Sequence, residues 1–315
     1  MMTRFDIMVI GELNVDLLLN NIDGFPEMGK EILAGAMDLT LGSSSAIFAS
    51  NCSVLGNKVA FIGKVGDDVF GNLVLDSLKR KKVNTKHIIR SEKEKTGATV
   101  ILNYDEDRAM VTYPGAMNTL TIDDIDEDDL LKAKHLHISS VFLQPGIKKN
   151  IIEIFEKAKN LGLTTSLDIQ WDPAEKWDLD FERLLPLVDV FLPNESELKA
   201  IMRTEDINEA IDKIRPFVNI MALKMGNKGS MGVTKDKKVV QKPFINHNVV
   251  DAIGAGDSFN AGFITKFIVG EPLEECLRFG NLSGAINTTA SGGTGAFTSL
   301  KEFKNKARTI FKIDL

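Results

Sequence analysis

Cysteine is scarce in this chain, with two in 315 residues, Cys52 and Cys276, and neither sits in a paired or histidine-rich spacing. That leaves no basis for a disulfide framework or a structural zinc site, and it fits a reducing compartment. Positive charge is in deficit, 38 Lys and Arg against 44 Asp and Glu for a net charge of −6. A phosphate-backbone partner needs a basic surface, so nucleic acid is not expected. Long apolar runs are missing too: the opening MMTRFDIMVIGELNVD holds only a few consecutive apolar residues, too few for a signal segment or a membrane span. The expectation is a cytoplasmic protein with no membrane partner.

What is present suits an α/β fold. A chain 43% hydrophobic and 26% charged can bury a large core, and one domain spanning residues 1 to 315 is the simplest organisation. Short β-branched or apolar runs (FDIMVI, KVAFIGKV, LHIS, TTSLDI, VDVFL, NIMALKMG) alternate with segments of helical period, near 45–55, 69–81, 147–160, 181 and on both sides of Asp206. This order predicts βαβ units and a mostly parallel sheet covered on both faces. From Asp251 onward the pattern is almost wholly helical.

Two stretches break the rhythm. Residues 15–41 hold strand-like pieces around a Pro/Gly turn, and 97–114 reads as two strands joined by an acidic turn. Together they predict a small antiparallel sheet, discontinuous in sequence, that serves as a lid; the alternative is that both are edge strands of the main sheet.

The densest chemical signal is DAIGAGDSFNAGF, residues 251–263. Gly254, Ala255 and Gly256 let a ligand approach the backbone, and the apolar period after Asp257 starts a helix there. Helix N-termini carry N–H groups without intrahelical partners and the positive end of the dipole, which together make an anion hole. An acid at that turn would repel a bound phosphate, unless it takes a proton from a hydroxyl aimed at that phosphate. The alternative is that Asp257 only caps the helix.

The segment resembles the second signature of the ribokinase-like, or PfkB, carbohydrate kinases, which reads much like DTTGAGDSFNAGF, with departures here at Ala252 and Ile253. GELNVD (11–16), LGSSSAIFASNCSVLG (41–56), GKVGDDVFG (63–71), LPNESEL (192–198) and LKMGNKGSMGV (223–233) are similar, in order, to further motifs of that family. The resemblance implies a three-layer α/β/α sandwich with a β lid and an ATP-dependent sugar kinase. In that reading Asp257 is the catalytic base, and the N–H groups of residues 254–257 hold the transferred oxygens. Asn194 and Glu197 place Mg²⁺, through water because that ion dehydrates reluctantly; taken alone they read as a capping Asn and an exposed helix Glu. Lys224, Gly226 and Gly229 contact ATP, and Asn281 lies near the adenine. Asp251, opposite the loop SGGTGAF at 291–297, is the counterpart of a residue beside a monovalent cation, potassium. Asn14, Asp16, Gly42 and Ser43 face the sugar.

The substrate motifs depart further. Ile47 stands where the first signature has an Asn, which removes a donor and an acceptor from the sugar pocket. Asp172 stands where an Arg is common, and an Asp would repel a carboxylate or phosphate. This favours a neutral sugar of the fructose or ribose type, unless residue 172 points away from the substrate. A nucleoside kinase of the same superfamily is the alternative enzyme, disfavoured by aromatics at 7%. A catalytically silent sugar-binding protein on the same fold is the alternative from another class. A sheet with one apolar face needs a cover, so a homodimer through the lid is expected.

Overall fold

The structure, a computed structural model, describes residues 4–104 and 107–315. Asp105 and Glu106, in the acidic turn expected between two strands, lie outside the described residues. The strands are β1 (Phe5–Ile10), β2 (Asn14–Ile22), β3 (Ala34–Leu41), β4 (Val59–Gly66), β5 (Asn84–Ser91), β6 (Gly97–Tyr104), β7 (Asp107–Tyr113), β8 (Ala133–Ser139), β9 (Thr164–Asp168), β10 (Val190–Phe191), β11 (Ile220–Lys224), β12 (Ser230–Val233) and β13 (Lys238–Gln241). The helices are α1 (Ser44–Val54), α2 (Val69–Arg80), α3 (Glu127–Leu130), α4 (Pro145–Lys149), α5 (Ile151–Asn160), α6 (Phe181–Leu184), α7 (Glu195–Met202), α8 (Ile207–Ile214), α9 (Ala255–Phe267), α10 (Leu273–Asn287) and α11 (Leu300–Phe311).

Nine strands form the main sheet in the order β13-β12-β11-β10-β9-β8-β1-β4-β5. All neighbours are parallel except in the β11-β12-β13 meander at one edge. Central parallel strands are buried on both faces, which is why FDIMVI reads as an unbroken apolar run. From Ile7 to Ile10 its residues divide by parity. Met8 and Ile10 join a core with α5, α7 and α8, whereas Ile7 and Val9 join one with α1, α2, α9, α10 and α11. These are the three layers expected. The 147–160 helix is interrupted, because Asn150 leaves helical geometry (φ −115°, ψ 17°) and separates α4 from α5.

Buried histidines thread this sheet. Thr164, His135, Ser166, His137 and Ser139 follow one another in a hydrogen-bonded row with steps of 2.7 to 2.8 Å. Burial pushes His135 down to about 3 and His137 well below its ordinary value, so both rings are neutral donors and acceptors within the row.

The segments 15–41 and 97–114 supply a second sheet, ordered β3-β2-β6-β7. Its two flanking pairs are antiparallel, while the central strands β2 and β6 run parallel, since they come from separate segments and not from one hairpin. Register gives the sheet two unlike faces. One carries the rows Leu39-Leu17-Val100-Val111 and Met37-Leu19-Leu102-Ala109; the other carries Thr40-Asp16-Thr99-Thr112.

Candidate active site

The carboxyl ends of β1, β9, β10 and β11 open toward one crevice, the usual place for a ligand on an open parallel sheet. Gly254 takes a left-handed conformation (φ 73°) and lets α9 begin at Ala255, two residues earlier than the apolar period suggests. Asp257 therefore lies in the first turn and is not a cap: its side chain makes no capping bond. The Ala255 N–H donates to Ala252 O, which takes one donor out of the expected set of 254–257. The rest of the first turn keeps N–H groups without intrahelical partners.

Helix α9 is held at that angle by close packing on α10. A Cβ at Gly262 would lie 2.3 Å from Ser283 Oγ, so only glycine fits there. Asp257 is 7% exposed. Ser44 Oγ, in the first turn of α1, donates to its Oδ1 at 2.5 Å, and Gln170 Nε2 donates to the same oxygen at 3.1 Å. Burial and the charge of Asp168 push Asp257 up to about 6, against the Ser44 bond and Lys224.

Asp168, at the end of β9, is the hub of the site. Its Oδ2 accepts from Lys224 Nζ at 2.7 Å, Asn260 Nδ2 at 2.5 Å and Gln170 Nε2 at 3.0 Å. Burial would lower Lys224, but Asp168 and Glu197 outweigh it and hold the ammonium above its ordinary value. Asn194 and Glu197 do form a capping box, with Asn194 Oδ1 accepting from Glu197 N at 2.8 Å. Yet Glu197 is only 3% exposed, and burial with the nearby Asp168 raises its proton affinity. Cap and site are the same pair.

Beside the N-terminus of α9 a cleft of about 250 Å³ is lined by Lys224, Gly226, Gly229, Ala255, Gly256 and Asn281, among others. Asn281 spends its amide hydrogens on the carbonyls of Gln241 and Lys242, so it braces the wall of this cleft. Asp251 joins two loops, accepting from Ile253 N and Gly292 N at 2.8 Å each. Lys81 places its ammonium on the carbonyls of Thr294 and Phe297 in the second of those loops.

Asn14 and Asp16 lie at the start of β2 in the small sheet. Asn14 Nδ2 donates to Thr99 Oγ1 at 2.8 Å, while Asn14 Oδ1 is buried with no hydrogen-bond partner among the described residues. Burial and the charge of Asp257 push Asp16 up to about 7. Gly42 is pressed against this pair, since a Cβ there would lie 2.2 Å from Asp16 Oδ1. Ser43 is placed otherwise than expected: as N-cap of α1 it donates to Glu12 O and accepts from Ala46 N, so its hydroxyl is committed. Its neighbour Ser44 reaches Asp257. Beneath them Glu12 is buried against Ser45 and pushed up to about 7 by that burial.

Two substrate inferences change. Asp172 accepts from the backbone N–H groups of Ala174, Lys176 and Trp177, and its carboxylate is consumed by its own loop. Ile47 packs against Gly254 and Gly293, below the two glycine-bearing loops. Sequence reasoning missed Ser44, Asp168, Gln170 and Asn260. Asn260 alone was signalled, lying three residues after Asp257 and so on the same helix face.

The family model "pfkB family carbohydrate kinase" matches residues 4–299. An uncharacterized sugar kinase of Archaeoglobus fulgidus is 34% identical over 239 residues, covering 74% of this chain and 92% of its own length. A 5-dehydro-2-deoxygluconokinase of Mesomycoplasma hyopneumoniae is 28% identical over 98% of this chain and 95% of its own length. Among solved structures, the adenosine kinase from Sinorhizobium meliloti superposes with a TM-score of 0.83 at 25% identity, covering 92% of this chain and 95% of the other.

Proposed function

The chain belongs to the pfkB family of carbohydrate kinases, and from that premise we propose that it transfers the γ-phosphoryl group of ATP to a hydroxyl of a small neutral sugar. The observation that carries this reading is the position of Asp257, buried at the α9 N-terminus next to Ala255 and Gly256 of the 250 Å³ cleft and close enough to Asp16 for their charges to act on one another. Asp257 takes the proton as the hydroxyl oxygen attacks phosphorus. Lys224 and the first-turn N–H groups of α9 meet the charge on the transferring group. Asn14 Oδ1, buried and without a partner among the described residues, awaits a donor such as a sugar hydroxyl.

Asp168, Glu197 and Asp257 set three buried carboxylates against the single ammonium of Lys224, a balance that a divalent cation suits. No group of three metal-binding side chains occurs among the described residues. Glu197 would therefore hold Mg²⁺ through water, and the ion would supply positive charge to offset that of the phosphates. We propose on the same footing that a potassium-type cation would bind between the loops that Asp251 joins.

A second reading within the family has one observation in its favour. Arg108 pairs with Asn103 on the polar face of the small sheet, and its charge acts on both Asp16 and Asp257. Such a guanidinium would suit an acceptor bearing a carboxylate, and one relative carries a deoxygluconokinase name. ADP release measured with Mg·ATP and a panel of fructose, ribose, deoxyribose, adenosine and 5-dehydro-2-deoxygluconate separates the readings. Asp16 and Asp257 set two carboxylates on the acceptor side, which disfavours an anionic acceptor, so turnover of fructose or ribose about tenfold above the acid is expected; preference for the acid would replace the neutral-sugar proposal.

The small sheet is proposed as a lid and as the dimer interface. Its outer face is apolar in every row, with Met37 65%, Leu39 41% and Val111 70% exposed, and a second copy of the same face would cover it. Sedimentation at micromolar concentration should show a dimer, and Leu39→Asp a monomer. A monomeric parent chain would overturn this.

A further inference from the structure

Both hydrogen bonds described to Asp257 arrive at one oxygen. Ser44 Oγ and Gln170 Nε2 converge on Oδ1, and Gln170 Nε2 also reaches Ser44 Oγ at 3.0 Å and Asp168 Oδ2 at 3.0 Å. The amide nitrogen must face this side, because the amide oxygen would meet two carboxylates. Gln170 is aimed inward by a left-handed backbone (φ 57°) two residues after the end of β9, a conformation that costs free energy for most residues other than glycine. Ser44 is fixed by the helix start that Ser43 caps.

Resting on the reading of Asp257 as the base, we infer that Gln170 and Ser44 are positioning residues that clamp Oδ1 of Asp257 and present Oδ2 to the sugar hydroxyl. A carboxylate free to rotate offers either oxygen in many orientations, and proton transfer needs one within hydrogen-bond reach. The clamp removes that freedom. It also favours the ionised base, since both partners donate to the charged form. The other charged groups acting on Asp257 or its surroundings are Asp168 on β9, Lys224 on β11, Arg108 on β7, Asp16 on β2, Glu197 on α7 and Asp251 in the loop before α9, which acts on Asp16. None of these is hydrogen-bonded to Ser44, whereas Asp168 also accepts from Gln170, so Ser44→Ala is the cleaner of the two variants.

Loss of a donor to the ionised form raises the proton affinity of the base, so the acid limb of kcat/KM must move to higher pH. Ser44→Ala and Gln170→Asn, the latter because Asn tolerates the left-handed backbone, should each lower kcat about tenfold at the alkaline plateau. Each should shift the acid limb upward by about one pH unit, with the KM for Mg·ATP unchanged and Ser44→Thr restoring both. Asp257→Asn is run beside them. If it keeps substantial activity, the base reading fails and the clamp with it. If it is inactive while both clamp variants keep the parent acid limb and kcat, the clamp alone is overturned.

Discussion

Replacing Asp257 by asparagine is expected to lower kcat by about a thousandfold and to leave the melting temperature unchanged or slightly raised. Asparagine keeps the shape of the side chain, and its amide oxygen still accepts from Ser44 and Gln170. It removes one negative charge from a pocket where Asp168 already disfavours it, so folding does not suffer. What it cannot do is take a proton. In the parent enzyme the base is pushed up to about 6, so kcat/KM should fall as the pH drops through 6 and level off above it. Retained turnover in Asp257→Asn, measured as ADP release at saturating substrates, would remove this residue from the chemistry.

Lys224→Met should fail in both activity and stability, and that combination distinguishes it from Asp257→Asn. The ammonium meets Asp168 at 2.7 Å, with side-chain exposures of 11% and 0%. Without it Asp168 and Glu197 face one another uncompensated. Breaking one partner of a buried pair costs about 3–5 kcal/mol, a drop in melting temperature on the order of 10 °C for a chain of this size. Loss of a donor at the transferring phosphoryl group should lower kcat/KM a further hundredfold to thousandfold, roughly the cost of removing one preorganised donor. Thermal unfolding and initial rates on the same preparation check both halves. Parent-like turnover in folded Lys224→Met would show that the lysine only neutralises Asp168.

The central strands were legible because burial on both faces leaves no polar alternation, and FDIMVI can be little else. The break at Asn150 was not, because the apolar spacing of Ile147, Ile151, Ile154 and Phe155 runs across it and period alone cannot see a cap. The anion-binding turn stood out through its glycines. Ser44 and Gln170 did not, since neither residue type signals chemistry until α1 and β9 have brought both to α9. Three serines in a row, 43 to 45, also hide which hydroxyl does what; the helix start decides, giving the cap to Ser43 and the base to Ser44. Asp172 was misread for the reverse reason. Its neighbours suggested a substrate contact, while the turn that follows it takes every hydrogen bond it accepts.

The partners of Asp257 lie 213 and 87 residues away along the chain. Contacts of that separation close the largest loops and form late, after local helices and neighbouring strands. A nascent chain is therefore a dormant one: until α9 has left the ribosome and docked beside α1, no pocket exists in which ATP can be spent. Recovered phosphorylation in a refolding experiment should trail the return of helical signal, so that enzymatic competence marks the final step of assembly.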